Sequence, residues 1–122
     1  MFVFKRAKTA FCDVDRTLVM WQEGSEWHSH KLHIKLLEQF KYQGFGVVVW
    51  SAGSWEWAEK AVRLLGIEHL VDICMSKPDW FIDDKQSQEF MPELNRIYLT
   101  DDYSTSNITN VSDKAELTKE RQ

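Results

Sequence analysis

Cysteine is scarce in this chain. Of 122 residues only Cys12 and Cys74 are cysteines, and they form no Cys-x-x-Cys pair. Both lie in apolar runs, where a free thiol behaves as a small hydrophobe. The expectation is a reduced, cytoplasmic protein rather than a disulfide-stapled one. Positive charge is not in excess either. Lys and Arg number 15 against 19 Asp and Glu, for a net charge of −4. The chain therefore lacks the overall electrostatic footprint of a nucleic-acid binder, which leaves room for a local basic groove. Long apolar runs are missing: the longest, residues 45–50, falls far short of a membrane span. The apolar part of residues 1–6 is too short for a signal peptide. No internal repeat is visible.

What is present supports a single domain. Hydrophobic residues make up 43% of the chain, enough to bury a modest core. Its organising stretch is residues 8–18. The apolar run 10–12 leads into Asp13-Val14-Asp15-Arg16-Thr17. Such a run reads as a buried strand of a parallel sheet. Ligands of parallel sheets sit at the carboxyl ends of the strands, where Asp13 falls. Two carboxylates held there repel each other unless a cation or proton intervenes. Oxygen ligands of this kind suit Mg²⁺. A calcium loop starting at Asp13 would need Gly at its sixth position and Glu at its twelfth; here those are Leu18 and Gly24.

Further along, residues 19–28 read as a loop or short hairpin flap, with a turn at Gly24-Ser25. The spacing of Leu32, Leu36, Leu37 and Phe40 predicts a helix over 29–43, capped by Ser29 and closed by Gly44. Residues 45–50 predict a second buried strand, its Val47-Val48-Val49 run β-branched, ending at Ser51-Ala52-Gly53. Ser54 caps a second helix, with Ala58, Ala61, Val62 and Leu65 inward and Gly66 at its end. Trp80-Phe81-Ile82 reads as a third clear strand, closed by Asp83-Asp84. Too few residues separate Lys77 from Asp83 for a crossover helix. Residues 67–77 are therefore expected to be mostly connection with at most a short edge strand, bringing Lys77 above Asp13. A short helix is expected within 85–90 and a weaker strand over 96–100. A polar tail, 101–122, is expected to be partly helical, disordered or loosely docked, leaving 1–100 as the folded domain. Strand–helix alternation of this kind predicts an α/β fold with the Asp13 strand central.

Polar groups thus follow strands or turns in a fixed order: Asp13-x-Asp15-x-Thr17, then Ser51, then Lys77, then Asp83-Asp84. This ordered set resembles the haloacid dehalogenase (HAD) superfamily of phosphohydrolases, over roughly residues 8–100. The resemblance implies a three-layer, Rossmann-like parallel sheet with helices on both faces. It implies a Mg²⁺-dependent phosphatase working through an aspartyl-phosphate. Asp13 would be the nucleophile and Asp15 the general acid and later base. Asp13, the Asp15 carbonyl and Asp83 would hold the metal. Ser51, the Ala52 amide and Lys77 would bind phosphate, with Thr17 and Asp84 in support. Arg16 stands where the family most often has glycine, which implies either a different turn or an arginine reaching over the leaving group; an outward-facing Arg16 is the expectation.

Between Thr17 and Ser51 there is room for a flap, a helix and a strand, and none for a cap domain. Capless members tend to act on large substrates or to close their sites by oligomerising, so a homo-oligomer is one expectation. The Lys-Pro-x-x-x-x-Asp-Asp spacing is similar to the phosphatase part of polynucleotide kinase-phosphatases. Among phosphorylated substrates the capless site and the tryptophans favour a nucleotide or a nucleic-acid terminal phosphate. Two rival readings are a receiver-like phosphoacceptor module and a catalytically inactive HAD-like binding subunit. A receiver carries its acceptor aspartate on a later strand than its acidic pair, whereas here the second strand ends in Ser51.

His28, His30 and His33 are close in sequence, but no thiolate accompanies them and they straddle a helix start. A flap histidine touching substrate fits better than a zinc site. Six tryptophans are present. Trp50 and Trp80 belong in core strands; Trp21, Trp27, Trp55 and Trp57 fall near the site rim or at helix starts. Those four can stack on a base or simply pack.

Overall fold

The computed structural model describes residues 8–21 and 27–97. The expected turn at Gly24-Ser25, residues 98–100 of the weak strand and the tail 101–122 lie outside the described residues. The chain is an α/β protein built on a three-stranded parallel sheet. Strand β1 is Thr9–Asp13, and β2 (Val19–Trp21) and β3 (Trp27–Ser29) form an antiparallel flap. Helix α1 is Lys31–Tyr42, β4 is Gly46–Ser51, α2 is Trp55–Leu65 and β5 is Ile73–Ser76.

Sheet order is β1-β4-β5, all parallel, with Asp13 opposite Trp50 and Ser51 opposite Ser76. The run of β-branched residues takes the middle place: Val47, Val48 and Val49 are all buried. Hence β4, not the Asp13 strand, is central among the described residues. Alternation sends Ala10, Cys12, Val47, Val49 and Cys74 to one face, where they meet Leu36, Leu37 and Phe40 of α1 and Ala58, Ala61 and Val62 of α2. Both crossovers move in the same direction along the sheet. Right-handed connections then place both helices on this one face. The opposite face carries Phe11, Val48 and Trp50, and Phe11 remains 45% exposed. Among the described residues, then, a helix layer covers one face, where the sequence led us to expect both.

Helix boundaries follow local chemistry. Ser54 caps α2, its Oγ accepting the Trp57 N–H at 3.1 Å, and Gly66 closes it in the left-handed region at φ +67°. Gly44, at φ +89°, follows α1 as expected. The cap of α1 differs from expectation. Ser29 is drawn into β3, and the His30 ring takes its place, Nδ1 accepting the His33 N–H at 3.3 Å. An imidazole lone pair thus does what a hydroxyl usually does at this position. A link no local pattern announces ties α1 to the sheet. Asp72 receives Lys41 Nζ at 2.9 Å on one oxygen and the Val47 N–H at 2.8 Å on the other.

Beyond β5 the expectation fails. Trp80-Phe81-Ile82 is not a strand, and these side chains are 90%, 59% and 104% exposed. Trp80 is consequently not a core residue. The short helix expected after it, α3, is Ser87–Phe90.

Candidate active site

Strand ends gather the site. Asp13 closes β1, Ser51 closes β4, and Lys77 follows the last residue of β5. The three parallel strands end on the same side, so these residues meet where such sheets bind ligands. Lys77 Nζ lies 3.2 Å from Asp13 Oδ1, and Thr17 Oγ1 donates to Asp13 Oδ2 at 3.3 Å. The Lys77 N–H donates to the Ser51 carbonyl at 2.9 Å, which fixes where the lysine leaves the sheet. Its ammonium also sits 5.8 Å from the centre of the Trp50 ring. The short edge strand expected before Lys77 is β5, and it delivers the amine to Asp13.

A tight loop follows β1. The N–H groups of Thr17, Leu18 and Val19 all point at the Val14 carbonyl, and the Arg16 N–H reaches the Val19 carbonyl. Val14 and Leu18 are fully buried beneath it. Those loop bonds run through Val14 and Val19 and leave out the Asp15 carbonyl. Arg16 takes φ +62°. It therefore adopts the left-handed backbone that glycine adopts freely, and carries strain of about 1–2 kcal/mol. Arg16 is exposed.

Asp15 is also exposed, and its carboxylate accepts from the Trp57 indole, Nε1 lying 3.2 and 3.3 Å from its two oxygens. Ser51 is buried, its Oγ accepting the Gly53 N–H at 3.0 Å, and Ala52 is exposed at the start of the loop into α2. A side chain at Gly53 would crowd that hydroxyl, since a Cβ there would stand 3.3 Å from Ser51 Oγ.

Asp83 and Asp84 are not brought in. Both are exposed, and Asp83 Oδ1 accepts the Lys85 N–H at 2.9 Å within its own turn. Among the described residues no three His, Cys, Asp or Glu side chains gather closely enough to hold a metal ion. This applies equally to the three closely spaced histidines. The Asp13 carboxylate is a hard oxygen donor at the strand end, of the kind Mg²⁺ takes. This ion keeps several waters and takes one or two carboxylates plus phosphate.

Cys12 lies behind Asp13, its Sγ–H donating to the Asp13 carbonyl at 3.4 Å. Burial first, then the Asp13 charge, push its thiol up to about 12 against the opposing pull of Lys77. The thiol thus stays protonated and is no nucleophile.

Sequence reasoning missed the support beneath the loop. His33 Nδ1 lies 2.6 Å from the Thr17 carbonyl, so that nitrogen carries the hydrogen. Its Nε2 is buried with no partner among the described residues, and the ring stacks on His30 at 3.8 Å. Burial holds the His33 pKa below its ordinary 6.5, helped by His30 and opposed by the Thr17 hydrogen bond. At low pH the unfolded chain binds a proton here more readily than the folded one does. Stability should therefore be full above about pH 6.5 and fall as pH drops below it. Replacing His33 by Gln should flatten this part of the profile, as urea denaturation at pH 5 and pH 8 would measure. An unchanged slope would show that His33 is not the titrating group.

Together these features define the class: an α/β protein with a carboxylate–lysine–hydroxyl cluster at the carboxyl ends of a parallel sheet. Comparison with protein-family models, curated proteins and solved structures returned no match. Among the described residues no helix is long and apolar enough to cross a membrane.

Proposed function

We propose that this protein is a Mg²⁺-dependent phosphomonoesterase of the HAD type, working through an aspartyl-phosphate on Asp13. The observation that carries the reading is the Lys77–Asp13 contact at 3.2 Å, between residues 64 positions apart in sequence, beside Thr17. A carboxylate that still reaches water, as Asp13 does at about a third exposed, needs no such partner to be stable. A phosphoryl group does need a cation beside its attacking carboxylate, because two anions must meet.

The chemistry follows from the side chains. The Asp13 carboxylate attacks phosphorus in line, forming the acyl phosphate as the phosphorus–oxygen ester bond breaks. Asp15, in its acid form, protonates the departing alkoxide; its carboxylate then takes a proton from the water that hydrolyses the acyl phosphate. Lys77 offsets negative charge on the phosphoryl oxygens, and Ser51 with the Ala52 amide would hold them. Mg²⁺ bound through the Asp13 carboxylate and the Asp15 carbonyl would supply further charge neutralisation. A metal role for Asp83 rests on the family resemblance alone, since Asp83 is held within its own turn by the Lys85 N–H. With the open site and rim tryptophans, the preferred substrate is a nucleotide or nucleic-acid terminal phosphate.

The test is hydrolysis of an aryl phosphate with and without Mg²⁺. Metal-dependent turnover supports the reading, and Asp83→Asn should then raise the Mg²⁺ concentration needed for half-maximal rate. A stable phosphoprotein with no turnover would point instead to a phosphoacceptor module. No reaction with any of a panel of phosphorylated metabolites and 3′- or 5′-phosphorylated DNA would leave the proposal without support.

A further inference from the structure

We propose that Trp57 is a positioning residue that holds the Asp15 carboxylate in place for proton transfer to the leaving group. This rests on the phosphatase reading above. Three observations carry it. First, the indole Nε1–H donates to both oxygens of Asp15, at 3.2 and 3.3 Å. Indole nitrogen is a donor only, so the contact requires an acceptor such as this carboxylate. Second, Trp57 is anchored at its other end. It sits in the first turn of α2, its backbone N–H is capped by Ser54 Oγ at 3.1 Å, and its half-buried ring packs against the core. Third, the ring edge neighbours Gly53, in the turn that follows Ser51. A Cβ on Gly53 would come within 4.0 Å of Trp57 Cδ1, and within 3.3 Å of Ser51 Oγ.

Asp15 is exposed, two residues beyond β1 and just before the turn at residues 16–18, where only a single bridge to Val19 holds its backbone. Left alone, such a side chain samples several rotamers. Proton transfer needs the carboxyl within about 2.6–3.2 Å of the leaving oxygen. Tethering it to a rigid helix meets that need. An indole donor also does so without adding charge. A lysine or arginine in its place would form an ion pair and hold the carboxylate in its anionic form. The one side chain thus ties Asp15, after β1, to α2, the helix that follows β4.

The experiment uses the full chain with Mg²⁺ and a series of phosphomonoesters, from 4-nitrophenyl phosphate, whose leaving group needs little protonation, to alkyl phosphates, whose leaving group needs it fully. In Trp57→Phe, kcat for the alkyl esters should fall about 10- to 100-fold, a portion of the 10²–10⁴-fold that a general acid supplies. For 4-nitrophenyl phosphate kcat should change less than about threefold, with KM unchanged throughout. A loss that is equal across the series, or absent, overturns the proposal and leaves Trp57 a packing residue. If Trp57→Phe does not fold, benzothienylalanine at position 57 keeps the bicyclic shape and removes only the N–H, and the same split is required of it. Should the native chain hydrolyse no ester of the series, the phosphatase reading itself falls, an outcome separate from an unsplit loss in an active enzyme.

Discussion

On the proposed phosphatase reading, Asp13→Asn should lower Mg²⁺-dependent phosphate-ester hydrolysis by at least about 10⁴-fold while leaving the fold intact. An amide nitrogen or oxygen does not replace a carboxylate as a nucleophile at phosphorus, and losing a nucleophile typically removes nearly the whole of the chemical acceleration. The same change removes the negative charge that faces Lys77. Stability should hardly move. Both partners of that pair are about a third exposed, at 36% and 35% of the side chain, so solvent screens the attraction. The amide oxygen can still accept from Thr17, as Asp13 Oδ2 now does. The check is turnover of an aryl phosphate beside a thermal melt of the same sample. Activity within tenfold of the native chain would remove Asp13 from the mechanism. A collapse of the melting temperature would show instead that the ion pair is structural. On the same reading, the acid-quenched native chain should retain phosphate on Asp13, and the variant should retain none.

Much of this arrangement could be read from the chain before any coordinates. The amphipathic spacing of Leu32, Leu36, Leu37 and Phe40 reports burial directly, and these side chains are buried. Ser54 and Gly66 work at the helix ends because their capping chemistry is local. Lys77 was placed by a length argument: too few residues precede Asp83 for a helix, so the connection had to cross the strand ends. The failures share a different cause. Apolar triplets report a preference for burial and say nothing about which edge receives them. Trp80-Phe81-Ile82 has a strand's composition, yet it pairs with none of the described strands and its side chains are exposed. Ile73, Cys74 and Met75 look weaker, and they form the edge strand.

Contacts across long sequence separations were the least legible. Trp57 and Asp15 are 42 positions apart, and Asp72 and Val47 are 25 apart. Neither pair has a signature, since each depends on how a helix seats on the sheet. His30 as a cap was hidden for a related reason. Ser29 is the better cap by composition, but pairing with Val19 takes it into the flap. Arg16 shows the reverse situation. The family pattern pointed to glycine, and the backbone takes a glycine-like angle with arginine in place. Strain of this kind is retained where the surrounding bonds over-determine the turn, as the loop bonds to the Val14 and Val19 carbonyls do here.

Leu18→Ala should be the most damaging single truncation near the site, costing about 2–5 kcal/mol of folding stability. Leu18 is fully buried and belongs to the same core cluster as Val14, Val47 and Val49. Its backbone is committed as well. The N–H donates to the Val14 carbonyl at 2.8 Å, and the carbonyl accepts the His30 N–H at 2.9 Å. With both ends held, the loop has little freedom to close over the space that three lost carbons would leave, so the cavity term should persist. Small domains are stable by only about 5–15 kcal/mol, so this is a large fraction of the whole. Urea denaturation should show a lower midpoint with an unchanged slope. The functional consequence follows from position. Val14 and Leu18 bracket Asp15, Arg16 and Thr17, so loosening Leu18 also loosens the carboxylate that Trp57 holds and the hydroxyl that Thr17 offers to Asp13. Activity should therefore fall before the protein unfolds, at urea concentrations where the native chain is unaffected. A loss below about 1 kcal/mol would mean that the apolar seat beneath the loop yields easily, and the geometry above it would then need another source of rigidity.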